Sequence, residues 1–126
     1  EKRLLLTALN KGIDEIEKVV HELGGLFIPA HVDRQAYGLF SQLGLIPKGL
    51  NIDALEFSYR MRQEELKQKY PETVSYPLIT SSDAHTVDTI GTAVCLLKLK
   101  RPTFKELKMA LKNEKGREIT GFEYAL

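Results

Sequence analysis

Short apolar runs alternate along this chain with amphipathic stretches at helical spacing, and that alternation limits the fold more than any other feature. The segment "GIDEIEKVVHELGG" carries Ile13, Ile16, Val20 and Leu23 one helical turn apart. Asp14 and Glu15 suit the positive end of the helix dipole, and Gly24-Gly25 supplies the stop. "LFIPA" follows at once, an unbroken apolar run of the kind found in a strand covered on both faces. The rhythm recurs. "DRQAYGLFSQLG" reads as a short helix ending at Gly44, and after the loop "LIPKGLN" comes "DALEF" as the next strand. Ser58 is placed to cap a helix running to about Tyr70, where Pro71 stops it. "YPLIT" and "GTAVCLLKLK" read as a third and a fourth strand. Thr103 and Glu106 have the spacing of a capping box opening "FKELKMALKNE", with Phe104, Leu107 and Leu111 on one face. The tail "GREITGFEYAL" adds a short extended segment. Strands alternating with helices predict βα units on a parallel sheet, an α/β fold.

The 126 residues suffice for a single domain, and no Gly/Ser linker or internal repeat divides residues 1–126. With 43% hydrophobic and 28% charged residues the chain reads as globular rather than disordered. Eighteen basic and seventeen acidic side chains give a net charge of +1, so charge supplies no case for nucleic acid as a partner. No apolar run approaches the length of a membrane span, and no signal peptide pattern opens the chain. One cysteine, Cys95, excludes an internal disulfide framework and suits the cytoplasm. Opening at Glu1 in the approach to a helix, the chain reads as part of a longer protein.

In parallel α/β folds the reactive groups gather at the carboxyl edge of the sheet. His31 falls directly after "LFIPA", and Asp83 and His85 fall just after "PLIT". On extended backbone residues two apart point to one side, so Asp83 and His85 are expected to converge while Ala84 turns away. Imidazole with carboxylate suits zinc, manganese or iron. The competing reading makes His31 a hydrogen-bonded loop residue and Ser82-Asp83 a cap before "TVDTI". His21 lies off the apolar stripe of the first helix and reads as solvated, and Cys95 reads as strand packing. Glu56, inside "DALEF", either faces a barrel interior near the site or marks a strand face open to water.

"GGLFIPAHVDR", "IDALEFS", "ITSSDAH" and "RPTFKELKMAL" together resemble the C-terminal part of a PHP domain, from the polymerase and histidinol phosphatase superfamily of metal-dependent phosphoesterases. The resemblance runs from about Ile13 to Leu111, and "SSDAH" is its most specific piece. It implies a distorted TIM-like barrel of seven βα units, of which this chain is the C-terminal portion. It implies His31, Asp83 and His85 as metal ligands, Asp83 and His85 being catalytic. The implied reaction is phosphate ester hydrolysis, in which divalent ions activate water and neutralise phosphate oxygens. The implied partner is a phosphorylated small molecule or nucleotide.

Arg34 is a candidate phosphate clamp, against a surface arginine in a helix's first turn. Ser81 and Ser82 either orient Asp83 or cap the helix. No His-x-His, the opening motif of the family, occurs anywhere in the chain. The expectation is therefore a hydrolase in the parent protein, with the isolated chain inactive and prone to self-association through an exposed strand edge and apolar helix faces. The alternative is a non-catalytic PHP-like binding or regulatory module. A hydrolase acting on C–N bonds is a third reading, which the Asp-Ala-His spacing fits less well.

Overall fold

The structure, a computed structural model, describes residues 9–125, so the helix approach expected at Glu1 lies outside the described residues. Helix α1 (Ile13–Glu22) opens with Asp14 and Glu15 in its first turn and rests Ile13, Ile16 and Val20 against the core. Leu23 ends the helix instead of extending its stripe and is 83% exposed. Helix α2 (Leu39–Leu43) closes on Gly44, whose φ of 74° is left-handed. Strand β1 (Leu55–Ser58), helix α3 (Gln63–Lys69), a 3₁₀ turn at Pro71–Ser75 and strand β2 (Leu78–Ser81) form one βαβ unit. A second 3₁₀ turn (Val87–Thr89) leads to β3 (Ala93–Lys98), α4 (Phe104–Leu111) and β4 (Glu118–Tyr124). Among the described residues no helix is long and apolar enough to cross a membrane.

The described strands form two two-stranded sheets rather than the one parallel sheet predicted. β1 and β2 pair in parallel, Leu55 opposite Leu78 through Ser58 opposite Ser81. β3 and β4 instead pair antiparallel, with an irregularity between Leu96 and Leu97. α4 and the "NEKG" turn return the chain along β3, and Asn113, Lys115 and Gly116 all take left-handed φ there. The tail forecast as a short extended segment is thus a full seven-residue strand.

"LFIPA" runs beside β1 without becoming a regular strand. Asp53 N donates to Phe27 O (3.0 Å), and Glu56 N donates to Pro29 O (3.0 Å). Carbonyls two residues apart therefore serve donors three residues apart, which breaks the register, and Pro29 has no N–H to offer. The helix predicted over "DRQAYGLFSQLG" shrinks to α2, because its first half folds into turns with Tyr37 at φ 63°. Ser58 does not cap α3. It ends β1, and Arg62 stands at the N-cap while the Glu65 carboxylate accepts Arg62 N.

The core is one cluster of Phe27, Val32, Phe40, Leu55, Phe57, Leu66 and Leu78 with their neighbours. Phe57 joins the two strand pairs, meeting Phe122 of β4 edge-on with ring centroids 5.1 Å apart. Phe40 stacks flat on Tyr70 at 3.8 Å, which ties α2 to the end of α3.

Two ion-pair clusters hold the periphery, and each gives a pH signature. His21 is half-buried rather than solvated, with Nδ1 2.5 Å from Glu17 and Nε2 2.8 Å from Asp53. Asp53 also accepts Phe27 N, so the cluster pins α1 to the entry of β1. The Asp53 hydrogen bond, seconded by Glu17, raises the His21 pKa above 6.5. A raised folded-state pKa means the stabilisation is complete below 6.5 and is lost as pH rises through the raised value. Thermal melts should therefore show wild type losing stability across that window, and His21→Gln should lack that loss.

Glu106 behaves oppositely. Arg117 grips its carboxylate through Nε (2.8 Å) and Nη2 (3.0 Å), and Lys100 N adds a third bond. Thr103 accepts Glu106 N, but the carboxylate serves Arg117 and Lys100 rather than closing a capping box. Arg117 first and Lys100 second hold the Glu106 pKa at about 2, against an ordinary 4.5. Its stabilisation is present above 4.5 and disappears as pH falls from there to about 2. Melts of Glu106→Gln should be less stable than wild type at neutral pH and flatter through that acid range.

Candidate active site

The end of β1, the turn after Pro29 and the turn after β2 come together at one edge. The turn after Pro29 is built from His31, whose φ of 32° is left-handed, and it folds so that Arg34 N bonds His31 O (3.0 Å). A side chain at Gly38 would collide with the Arg34 carbonyl oxygen, so glycine is needed where the turn closes. Asp33 fastens this turn to β1. Its carboxylate accepts Ser58 N at 2.6 Å and Ser58 Oγ at 2.5 Å. Val32 N adds a bond to Glu56 O (2.8 Å).

These fastenings carry Arg34 across to Asp83, where Nη1 stands 2.5 Å from Oδ2. Asp83 itself has a φ of 49°, so "SDAH" is not extended as the sequence suggested. The kink brings His85 back on its own turn, and His85 Nδ1 lies 2.8 Å from the Asp83 carbonyl oxygen. That carbonyl can only accept, so in the neutral ring Nδ1 carries the proton and Nε2 keeps its lone pair. Ser81 Oγ donates to Glu56, which is half-buried at this edge, and receives Asp83 N at 3.4 Å. Ser82 bridges Gly91 N (2.9 Å) and Ala93 O (3.2 Å), so it locks the turn to β3 and caps nothing.

Asp83, His85 and Arg34 are thus assembled at one place. Two clefts meet there, sharing Tyr59, Asp83 and His85. The larger, about 440 Å³, continues past Arg62 and Tyr124, and the smaller, about 130 Å³, past Arg34 and Arg60. His31 lines a separate apolar cavity with Ile13, Leu39 and Leu43, and its Nδ1 is buried with no partner among the described residues.

As metal donors these groups fit one part of a site. His85 has the tautomer a ligand needs, fixed by a carbonyl as metal-bound histidines are. Among the described residues, however, no three His, Cys, Asp or Glu side chains stand together to hold an ion. Asp83 and His85 are suited to serve as ligands that other groups must complete.

The sequence reading passed over Tyr59, Arg60, Arg62 and Tyr124. A signal was present, since "SYRMR" directly follows the strand "DALEF" and therefore falls at the same carboxyl edge.

A mixed α/β fold with its polar residues gathered at the strand ends is the class these observations define. Comparison with known proteins narrows it. Residues 63–115, which include Asp83 and His85, match the family model described as PHP-associated. The fold matches the crystal structure of PfuEndoQ, a lesion-specific endonuclease from Pyrococcus furiosus, with a TM-score of 0.82 and 26% identity over 90% of this chain. It also matches Endonuclease Q in complex with a 27-mer duplex bearing an abasic lesion at the active site, with a TM-score of 0.79, 26% identity and 88% of this chain covered. Endonuclease Q is a PHP-fold protein, so the resemblance to the C-terminal part of a PHP domain holds. YqxK, an uncharacterized protein of Bacillus subtilis (strain 168), is 32% identical over 123 residues, or 94% of this chain. The chain spans about 30% of the length of each of these proteins.

Proposed function

We propose that the parent protein is a PHP-type, metal-dependent phosphodiesterase of the cytoplasm that cleaves nucleic acid. Residues 1–126 are one domain and form the C-terminal portion of its seven-unit barrel. The observation that carries this reading is the Asp83–His85 turn, with His85 Nδ1 tied to the Asp83 carbonyl and Arg34 paired to the carboxylate. Nucleic acid replaces the phosphorylated small molecule as the expected substrate, because the structurally similar proteins are a lesion-specific endonuclease and an endonuclease bound to damaged duplex.

Zinc, manganese or iron would be held by Asp83 and the Nε2 of His85, with groups elsewhere in the parent completing the set, since His31 lines a separate cavity. Bound ions supply activated water and neutralise charge on the phosphate oxygens. This chain's residues do the rest. The Asp83 carbonyl holds His85 in one tautomer, Ser81 supports the Asp83 turn, and Asp33 fixes the turn that delivers Arg34. The guanidinium of Arg34 has five N–H donors, so pairing with Asp83 leaves others to take a phosphate oxygen. Residues 1–126 alone are inactive on this reading, since two ligands at one cleft do not make a metal cluster.

The test is cleavage of an abasic-site duplex by the full-length protein, with and without chelator. Cutting that stops on chelation and returns with Mn²⁺ or Zn²⁺ is the expected result. No cutting with any metal would favour the non-catalytic binding module instead.

A further inference from the structure

The two clefts beside Asp83 and His85 have a lining that hydrolysis alone does not explain. Arg34, Arg60 and Arg62 stand around them, while among the described residues Asp83 is the one carboxylate lining them and is already paired with Arg34. Three guanidinium groups gather here in a chain whose net charge is only +1. Two of them lie against aromatic rings, and Arg62 is stacked on its ring. The Arg62 guanidinium lies 3.8 Å from the ring centroid of Tyr124, and that of Arg60 lies 5.5 Å from Tyr59. Arg60 Nε also donates to the Tyr59 hydroxyl at 3.2 Å.

Such pairs are already ordered, and a guanidinium stacked on a ring keeps its edge free for phosphate. Tyr59 follows β1 directly and is 37% exposed where the clefts meet. A terminal phosphate would need one pocket. Two basic clefts that meet at the candidate ligands suit a backbone that continues in both directions.

We propose, building on the phosphodiesterase reading, that Tyr59, Arg60 and Arg62 form a single-strand binding ridge. The cleft past Arg62 takes the phosphate on one side of the scissile bond, the cleft past Arg34 and Arg60 takes that on the other, and Tyr59 stacks a base between them. Stacking on an aromatic ring is tolerant of sequence, and the arginines track the backbone. The substrate is therefore an unpaired stretch of nucleic acid, not a free nucleotide.

The experiment is anisotropy of a short fluorescein-labelled single-stranded oligonucleotide with the full-length protein, in EDTA so that binding is read without cleavage. Binding should weaken with salt, and a deoxynucleoside monophosphate at equal concentration should not displace the strand. Tyr59→Ala should weaken binding by roughly 5- to 150-fold, the range for loss of one base stack, whereas Tyr59→Phe should bind as wild type. Arg60→Ala and Arg62→Ala should each make the salt dependence shallower. A melt of each variant separates lost binding from lost folding. Wild-type binding by folded Tyr59→Ala, or equal competition by the mononucleotide, overturns the ridge. The two readings can fail apart. Tyr59-dependent binding by a protein that cuts nothing keeps the ridge and removes the phosphodiesterase. Metal-dependent cleavage that Tyr59→Ala leaves intact, with strand binding also intact, does the reverse.

Discussion

Asp83→Ala and His85→Ala, made separately in the full-length protein, should each lower metal-dependent cleavage by more than about 100-fold. Loss of a group that merely supports a metal ligand costs roughly 10–100-fold, and loss of a ligand costs more. The two variants should nonetheless fold. His85 is exposed, and Asp83 makes its contacts in an edge turn outside the apolar cluster. Their melting points should stay near wild type, so a loss of activity reads as a loss of chemistry. Arg34→Ala separates the two duties of the site. It frees the Asp83 carboxylate while removing a phosphate contact, so KM should rise more than kcat falls. If His85→Ala kept wild-type activity with metal present, the assignment of this turn to catalysis would be wrong.

Phe57→Ala should cost about 3–5 kcal/mol of folding stability, the range for emptying a buried phenylalanine site. Phe57 is fully buried, sits mid-strand in β1, and meets Phe122 of β4 edge-on. It is therefore a side chain through which the parallel pair and the antiparallel pair share a core. Against a typical total of about 5–15 kcal/mol, the loss is large enough to move a urea midpoint unmistakably. Phe104→Ala, at a position 53% exposed, should change stability by no more than about 0.5 kcal/mol. Equal midpoints for the two variants would mean that the strand pairs are not held through this contact. Because Phe57 directly precedes Ser58, which Asp33 grips, partial loss of this packing should loosen the Arg34 turn as well.

Helix positions were legible wherever an apolar stripe and a stop signal coincided. Ile13, Ile16 and Val20 with the glycine pair marked α1, and Thr103 marked the start of α4. "DALEF" and "PLIT" were legible as strands because each is a short apolar run between polar turns. "LFIPA" has the same composition and did not become one, since a proline and a slipped register deny it a regular ladder. Nor could composition reveal the antiparallel return of β4, which depends on a turn of left-handed residues after α4. At the site, Asp83 and His85 were visible as a spacing, but the reason they meet was not. They meet through a left-handed Asp83 and a ring-to-carbonyl bond, not through an extended strand.

The sequence by itself determined the alternating α/β character and the edge at which polar groups gather, and it marked Arg34, Asp83 and His85 as candidates there. Each is a local property, set by side-chain period, by turn chemistry, or by position just after an apolar run. Tertiary structure alone decided that Arg34 pairs with Asp83 across 49 residues, that His21 is clamped by Asp53 across 32, and that Tyr59 and Arg62 share a cleft with Tyr124. Such pairings depend on where two distant backbones run. That is settled by which faces bury together, and no single stretch of chain carries the information.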